Sequence, residues 1–458
     1  MPPRYVFSVP VAALMLLAGC DVGNNVTPTE ELDASVAAMT RGDVTRTDSG
    51  EATVRTAVRL EQGYSAALRK AIIDNPKFAA SVRRYREAGA GIRISQSAAR
   101  PQLTAGATVG GVGGGNNSGV ETGAAANVTL SQLIFDGGAT RAEVAGATAQ
   151  TYAARARIAA TGNEVGRDAA EVWIDLWQAN THLSLLNQRL REVSPMVERI
   201  ERLITNGIVD RAALAAAERQ FLDLKLEEER LQASLRDARE RFNRFYGSRP
   251  ASVAAPQRLF SDAELVQMAN IWQDSPALIA AAAELIVAER AVDAAQARTR
   301  PTVNLRAGAS SPISRSDRPD ANVGLVLQHT FSDGGRRAAE IERLNERLQA
   351  GRATFEDTKS SARVDVESAL SRHRSLRGTI SVLESQISAL DTERETLRSQ
   401  IASGQANLRQ LVEAEVSYYR AQARLIEVRG ELSKLEIGLA SQTGQLTRKL
   451  NIDIDALL

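Results

Sequence analysis

Cys20 is the residue of this chain best placed to undergo chemistry. It is the sole cysteine among 458 residues, and it closes the run Leu17-Ala18-Gly19-Cys20. Arg4 and an apolar stretch from Tyr5 to Leu17 precede it. A basic start, a short apolar core and small residues before a cleavage point make a secretory signal peptide. The Leu-Ala-Gly-Cys ending resembles a bacterial lipobox, in which Cys20 becomes the lipid-bearing first residue of the mature chain. The alternative is an ordinary signal peptide with a cysteine there by chance. The apolar run is shorter than the ~20 residues of a helical span. One cysteine leaves no disulfide within the chain.

Other reactive residue types form no pattern. His182, His329 and His373 are scattered, with no second ligand at i±4. They are expected on surfaces or in helix packing, with no metal and no cofactor. The glycine run from Gly110 to Gly115 is followed by neither Lys-Ser nor Lys-Thr, so it is no phosphate loop. No Ser/His/Asp constellation and no paired carboxylates occur, which argues against an enzyme. With 56 basic and 55 acidic residues, net charge +1, nothing points to nucleic acid. Hydrophobic residues make up 43% but aromatics only 4%. That usage belongs to long helices and coiled coils.

The elements that hold these residues are duplicated. Sliding the chain by 197 positions places Leu183, Leu186, Leu190, Val193, Ile200 and Ile204 on Ile380, Leu383, Ile387, Leu390, Leu397 and Ile401. Gly207 falls on Gly404, and Asp136-Gly137-Gly138 falls on Asp333-Gly334-Gly335. A repeat of about 200 residues is half of one pseudo-symmetric body rather than a solenoid unit. The reading is residues 1–19 signal peptide with lipobox, 20–54 lipid tether and linker, 55–250 first repeat and 251–458 second repeat.

Each repeat reads as helix, β-hairpin, long helix, tip and return helix. Asn75-Pro76 and Ser275-Pro276 are helix starts. Arg100-Pro101 and Arg300-Pro301 end those helices. Strands are predicted over 102–112, 124–135, 302–309 and 322–331, with Phe135 and Phe331 at strand ends. The offset falls from 200 to 197 across this hairpin, so its loop is three residues shorter in the second half. The long helices run from Gly138 and Gly335 to the tip glycines, ~100 Å at 1.5 Å per residue. The first carries an unbroken seam at 165, 169, 172, 176, 179, 183, 186, 190, 193, 197, 200 and 204, the mark of a coiled coil. Pro195 is expected to kink it. The second return helix is assigned the seam Leu411, Tyr418, Leu425, Leu432, Leu439, Leu446. The first is assigned Leu214, Phe221, Leu224, Leu231, Leu235, Phe242. Trp173 and Trp177 are expected between helices. Glu227-Glu228-Glu229 is either a solvated face or a partner for an arginine on a neighbouring helix.

Four strands cannot close a barrel, and unpaired backbone groups cost several kcal/mol each in a bilayer. The smallest closed membrane barrels have about eight strands. If these strands cross lipid, they close with strands from other chains. The fold class expected is therefore mainly α with a small β-barrel portion.

The doubled order of these motifs resembles the outer-membrane efflux protein family, the TolC-like channels. The resemblance covers about residues 55–450. It implies an elongated coiled-coil barrel and a homotrimer closing a 12-stranded barrel in the outer membrane of a Gram-negative bacterium, with a tunnel in the periplasm. It implies a passive conduit for drug or solute efflux or type I protein secretion. Its partners would be a periplasmic adaptor and, through it, an inner-membrane pump. The adaptor-contact tips would be Gly207, Ile208, Gly404 and Gln405. The family's paired gate carboxylates fall on Gln410 and Glu413, so one acid is kept and one is lost; alternatively Glu413 and Glu415 are solvated. A lipid-anchored periplasmic coiled-coil protein with merely decorative hairpins is the competing reading.

Overall fold

The computed structural model describes residues 63–112, 121–205, 211–312, 320–402 and 408–457. Arg55–Leu458 form one compact unit, so the two repeats are not separate domains. Each is built from the same succession of elements. The first comprises α1 (Tyr64–Ile73), α2 (Pro76–Ser97), β1 (Gln102–Val112), β2 (Glu121–Phe135), α3 (Ala139–Thr205) and α4 (Arg211–Tyr246). The second comprises α5 (Asp262–Asn270), α6 (Pro276–Ala297), β3 (Thr302–Pro312), β4 (Asp320–Gln328), α7 (Arg336–Ala402), α8 (Leu408–Gln442) and the short α9 (Gln445–Lys449).

Local chemistry sets these boundaries. The Asn75 side chain accepts from the Lys77 amide at 2.9 Å, and Pro76 occupies the first turn of α2. Ser275-Pro276 opens α6 with the same proline but no side-chain cap. Each strand-to-helix turn is an Asp-Gly-Gly with both glycines in the left-handed region, φ 69° and 96° at Gly137 and Gly138, 69° and 87° at Gly334 and Gly335. A residue with a Cβ is strained there. Asp136 accepts from the amides of Gly138 (2.9 Å) and Thr140 (2.6 Å), capping α3. Asp333 accepts from the Arg337 amide at 3.2 Å to cap α7.

The two long helices each span 67 residues, about 100 Å at 1.5 Å per residue. α3 runs without interruption through Pro195. Its predicted seam is its buried stripe: Val165, Ala169, Val172, Leu176, Ala179, Leu186, Leu190, Val193 and Ile200 are buried, and Leu183 and Val197 are half-buried. The Ile204 side chain lies outside the described residues. Burial this continuous requires neighbours on both flanks. α2 and α6 flank one half of α3, and α4 and α8 flank the other. Gly162 and Gly166, one turn apart, make room on α3 for Phe78, Thr447, Ile72 and Leu446. Trp173 is buried among Tyr64, Phe242 and Tyr246, and Trp177 is half-buried.

α7 is different. It packs against α6 and α8 but is exposed along most of its length. The helical wall therefore runs α2/α4, α3, α6/α8, α7, and both of its outer flanks are open. The sheet repeats this plan, with strand order β1-β2-β3-β4 and all ladders antiparallel.

Several expectations need correction. β4 ends at Gln328 rather than at residue 331, because its ladder partner begins at Thr302, directly after a proline with no N–H. Phe331 is thus beyond the strand, 92% exposed. β2 begins three residues early, and β3 runs three residues longer than expected. The α8 seam is displaced. Leu411 and Leu439 are buried, but Tyr418, Leu425 and Leu432 are half-buried, while Val412, Val416, Tyr419, Val428 and Ile437 are buried. Leu446 lies beyond α8, in α9. On α4, Leu224, Leu231, Leu235 and Phe242 are buried and Phe221 is half-buried, as expected; the Leu214 side chain lies outside the described residues. Glu228 pairs with Lys225 of its own helix at 3.0 Å, not with a neighbouring arginine.

Candidate functional site: the two-faced sheet and the buried charge cluster

Alternation along four paired strands sorts their residues onto two faces. The ladders place Leu103, Ala105, Ala107 and Val109 beside Val128 and Leu130, then Val303, Leu305 and Ala307, then Val323, Leu325 and Leu327. That face is apolar along all four strands except near their base, where Gln132 stands opposite Leu305 and donates to the Ala99 carbonyl at 3.2 Å. The other carries Gln102, Thr104, Thr129, Asn127, Asn304, Arg306, Asn322 and Gln328. On it, Asn127 and Asn322 lie over Gly106 and Gly308, whose missing Cβ atoms would stand 3.1 and 2.7 Å from the amide oxygens. Val109, Val323, Leu325 and Leu327 are 69–82% exposed. No helix covers them, so this is a single layer, apolar on one side and polar on the other. Such a layer suits a wall between lipid and water. Among the described residues, no helix is long and apolar enough to cross a membrane.

The second feature lies in the half of the helices nearer their 205 and 408 ends. Arg189 of α3 is 2% exposed and is ion-paired to Glu415 of α8, which is fully buried. Arg189 also donates to Glu192 at 2.8 Å. Arg398 of α7 donates to the other Glu415 oxygen at 2.6 Å, and Arg394 approaches the oxygen held by Arg189 at 3.5 Å. The Tyr418 ring lies 4.9 Å from the Arg189 guanidinium carbon and 4.5 Å from that of Arg394. Three helices are tied together here. The reading of Glu415 as solvated is thus overturned: desolvated, it requires the arginines.

Of the residues singled out in advance, Gln410 is exposed and Glu413 half-buried in the first turns of α8. Glu413 makes an i,i+4 pair with Arg409 at 3.7 Å. Cys20, Gly207, Ile208, Gly404 and Gln405 lie outside the described residues. The histidines behave unequally. His373 lies 3.1 Å from Glu436 and 3.9 Å from Asp262, a grouping that spacing along the chain did not reveal. Arg258 spans both carboxylates and already supplies the positive charge a cation would bring. His329 stacks edge-on against Phe331.

His182 is half-buried, its Nε2 3.1 Å from the Tyr419 hydroxyl. Burial lowers its pKa, against the pull of Glu427 and Glu227. The unfolded chain protonates this histidine near pH 6.5, the folded chain only at lower pH. Its contribution to stability is therefore complete above about pH 6.5 and is lost as the pH falls from there toward the folded value. Thermal melts at neutral pH and about pH 5 should diverge less in His182→Gln than in the parent. An equal divergence would remove His182 from the acid response.

A four-stranded sheet with open edges and opposed faces, carried on a coiled-coil wall, defines one subunit of a membrane β-barrel channel with a helical body. The chain belongs to the outer membrane efflux protein family, whose sequence profile matches residues 67–248 and 268–445. It is an outer-membrane channel protein of that family, which consists of channels rather than enzymes. It is similar to the outer membrane efflux protein BepC of Brucella suis biovar 1 (strain 1330), 22% identical over 395 residues, covering 85% of this chain and 86% of that one. Its fold matches the outer membrane protein VceC of Vibrio cholerae with a TM-score of 0.74, at 19% identity over 85% of this chain and 97% of that one. It also matches the MtrE outer membrane channel of Neisseria gonorrhoeae, with a TM-score of 0.71, 20% identity and coverage of 90% and 96%. Decorative hairpins on a periplasmic coiled coil are set aside by this membership.

Proposed function

We propose that three copies assemble into one conduit, with four strands from each closing a 12-stranded barrel in the outer membrane. The single observation that carries this is the sheet: apolar on one face, polar on the other, with both edge strands unpaired. In a bilayer such edges are tolerated only when another chain pairs with them. The apolar face would meet lipid and the polar face would line the lumen.

The helical wall, too long for the ~30 Å hydrocarbon layer, would form a tunnel in the periplasm. The repeats 55–250 and 251–458 would each supply one hairpin and one helical pair to it. The tips at Gly207-Ile208 and Gly404-Gln405 would contact a periplasmic adaptor that links the channel to an inner-membrane pump. Gln410 and Glu413 would face the narrow end, with the Arg189–Glu415 cluster holding the helices together just behind them. Residues 1–19 would direct export, Cys20 would carry the lipid, and residues 20–54 would tether it to the body.

Outer-membrane fractions run unheated on a denaturing gel should show a band at three times the chain mass that collapses to one on boiling. A soluble monomer after removal of residues 1–19 and substitution of Cys20 would overturn the reading.

A further inference from the structure

We propose that Arg306 gives the barrel a preference for anionic solutes: one guanidinium from each subunit joins a positive collar around the lumen, at mid-height of the strands. The inference rests on the three-chain conduit proposed above, with the polar face of the sheet turned to water.

Charge is scarce in the sheet. The four strands contain three charged residues, Glu121, Arg306 and Asp320. Glu121 opens β2 and Asp320 opens β4, so both acids stand at the hairpin ends, beside the loops. Arg306 stands in the interior of β3, four residues from Thr302 at one end of its ladder with β4 and four from Ser310 at the other. At about 3.3 Å per residue, each end is ~13 Å away. Arg306 is thus the charge held at the depth where hydrocarbon would surround an outward-facing residue. A charge at that depth is costly unless it meets water. The pleat resolves this, because Arg306 lies opposite Ser131 on β2 and Gly324 on β4, on the polar face.

Nothing nearby neutralises it. Arg306 is exposed, and among the described residues its guanidinium makes no hydrogen bond or ion pair. The nearest carboxylate on its face along the described ladders is Asp320, opposite Ser310, about 13 Å away along the strand. The adjoining positions are small. Gly308 is two residues on, and Gly324 has nothing within 4 Å of its absent Cβ. A long cation rising from so low a surface projects into the passage instead of bracing the wall.

The counterpart of Arg306 in the first repeat, at the offset of 200, is Gly106. Each chain therefore contributes one guanidinium, and three chains contribute three. Twelve strands at about 4.8 Å each enclose a cylinder ~18 Å across before tilt widens it. Its radius is comparable with the screening length of about 8 Å at physiological ionic strength, so the collar acts on the whole cross-section. Rings of arginine or lysine select anions in other pores. The planar guanidinium fork matches carboxylate and phosphate groups. The favoured solutes are those that carry such groups, and small cations are disfavoured.

The test uses the full-length trimer in lipid vesicles. Asn304→Cys places a thiol two residues from Arg306 on the same face, and the parent, whose sole cysteine is Cys20, gives the background. The thiol is modified in parallel by an anionic and a cationic thiosulfonate of similar size. The anionic-to-cationic rate ratio should fall several-fold when Arg306→Gln is added and should persist with Arg306→Lys. With Arg306 in place, the ratio should also fall as salt rises to 1 M, where the screening length is about 3 Å. This salt series needs no change at Arg306 and so holds even if Arg306→Gln fails to assemble. A low-salt ratio that neither Arg306→Gln nor salt alters, in a labelled and intact trimer, overturns the collar and leaves the conduit standing. A reporter that neither reagent reaches in an intact trimer, or a parent protein that forms no trimer, overturns the underlying reading as well.

Discussion

Replacing Glu415 by alanine lowers the stability of the helical body by about 3–5 kcal/mol, the cost of leaving a buried charge without its partner. Arg189 is 2% exposed and has few alternatives. Glu192 remains at 2.8 Å, so the loss lies toward the lower figure. Arg394 and Arg398 lose the same carboxylate. Both are then left to Glu192, at 3.7 and 3.4 Å, with Asp391 at 2.5 Å from Arg394, so three arginines share fewer carboxylates. The variant Arg189→Met should be comparably damaging, because it leaves Glu415 buried among fewer donors. The double variant Arg189→Met with Glu415→Leu should cost less than the sum of the two, since it removes both desolvated charges together. Thermal unfolding of the purified trimer followed by circular dichroism measures all of these. A loss below about 1 kcal/mol for Glu415→Ala, the scale of exposed pairs, would mean that the cluster is solvated in the assembled protein.

Leu325→Arg is the second large effect. Leu325 is 69% exposed in the isolated chain and shares the apolar face with Leu305, its ladder partner. An arginine near the bilayer midplane on a lipid-facing strand position costs about 2–4 kcal/mol, and a trimer meets that cost at every copy. The amount of protein recovered in outer-membrane fractions should fall sharply. The matched control is Asn322→Arg, three positions earlier on the polar face. It should insert normally, because a charge there meets water. Equal yields for the two variants would show that the faces have been assigned the wrong way round.

The long elements were legible in the sequence where packing is two-sided. α3 is buried from both flanks, so its apolar period survives along most of its length and its stripe could be traced residue by residue. The return helix α8 was legible in extent but not in orientation. It packs on α3 and α7 at once, and its buried stripe is wider than one heptad seam. The leucines at 411, 425 and 432 mark one border of that stripe, not its centre. Glu415 was misjudged for a related reason. Its neutralising partner is 226 positions away, on another helix, and local periodicity carries no information about that distance. The end of β4 was missed because alternation continues past Gln328, while the limit is set by Pro301 before the partner strand. The grouping of His373 with Asp262 and Glu436 is likewise assembled from three elements and leaves no trace in spacing.

The buried arginine–glutamate pair has no true copy in the second half. Adding the repeat offset to Arg189 gives Gln386, and subtracting it from Glu415 gives Glu218. Around the proposed ring, places where a long helix meets a return helix would alternate between clamped and unclamped. Inside a subunit the junction is bolted by opposite charges sealed from water, whereas the repeat-related positions hold an amide and a carboxylate and offer no such bolt. A ring built this way would part first at the margins between its subunits, each keeping its own shape.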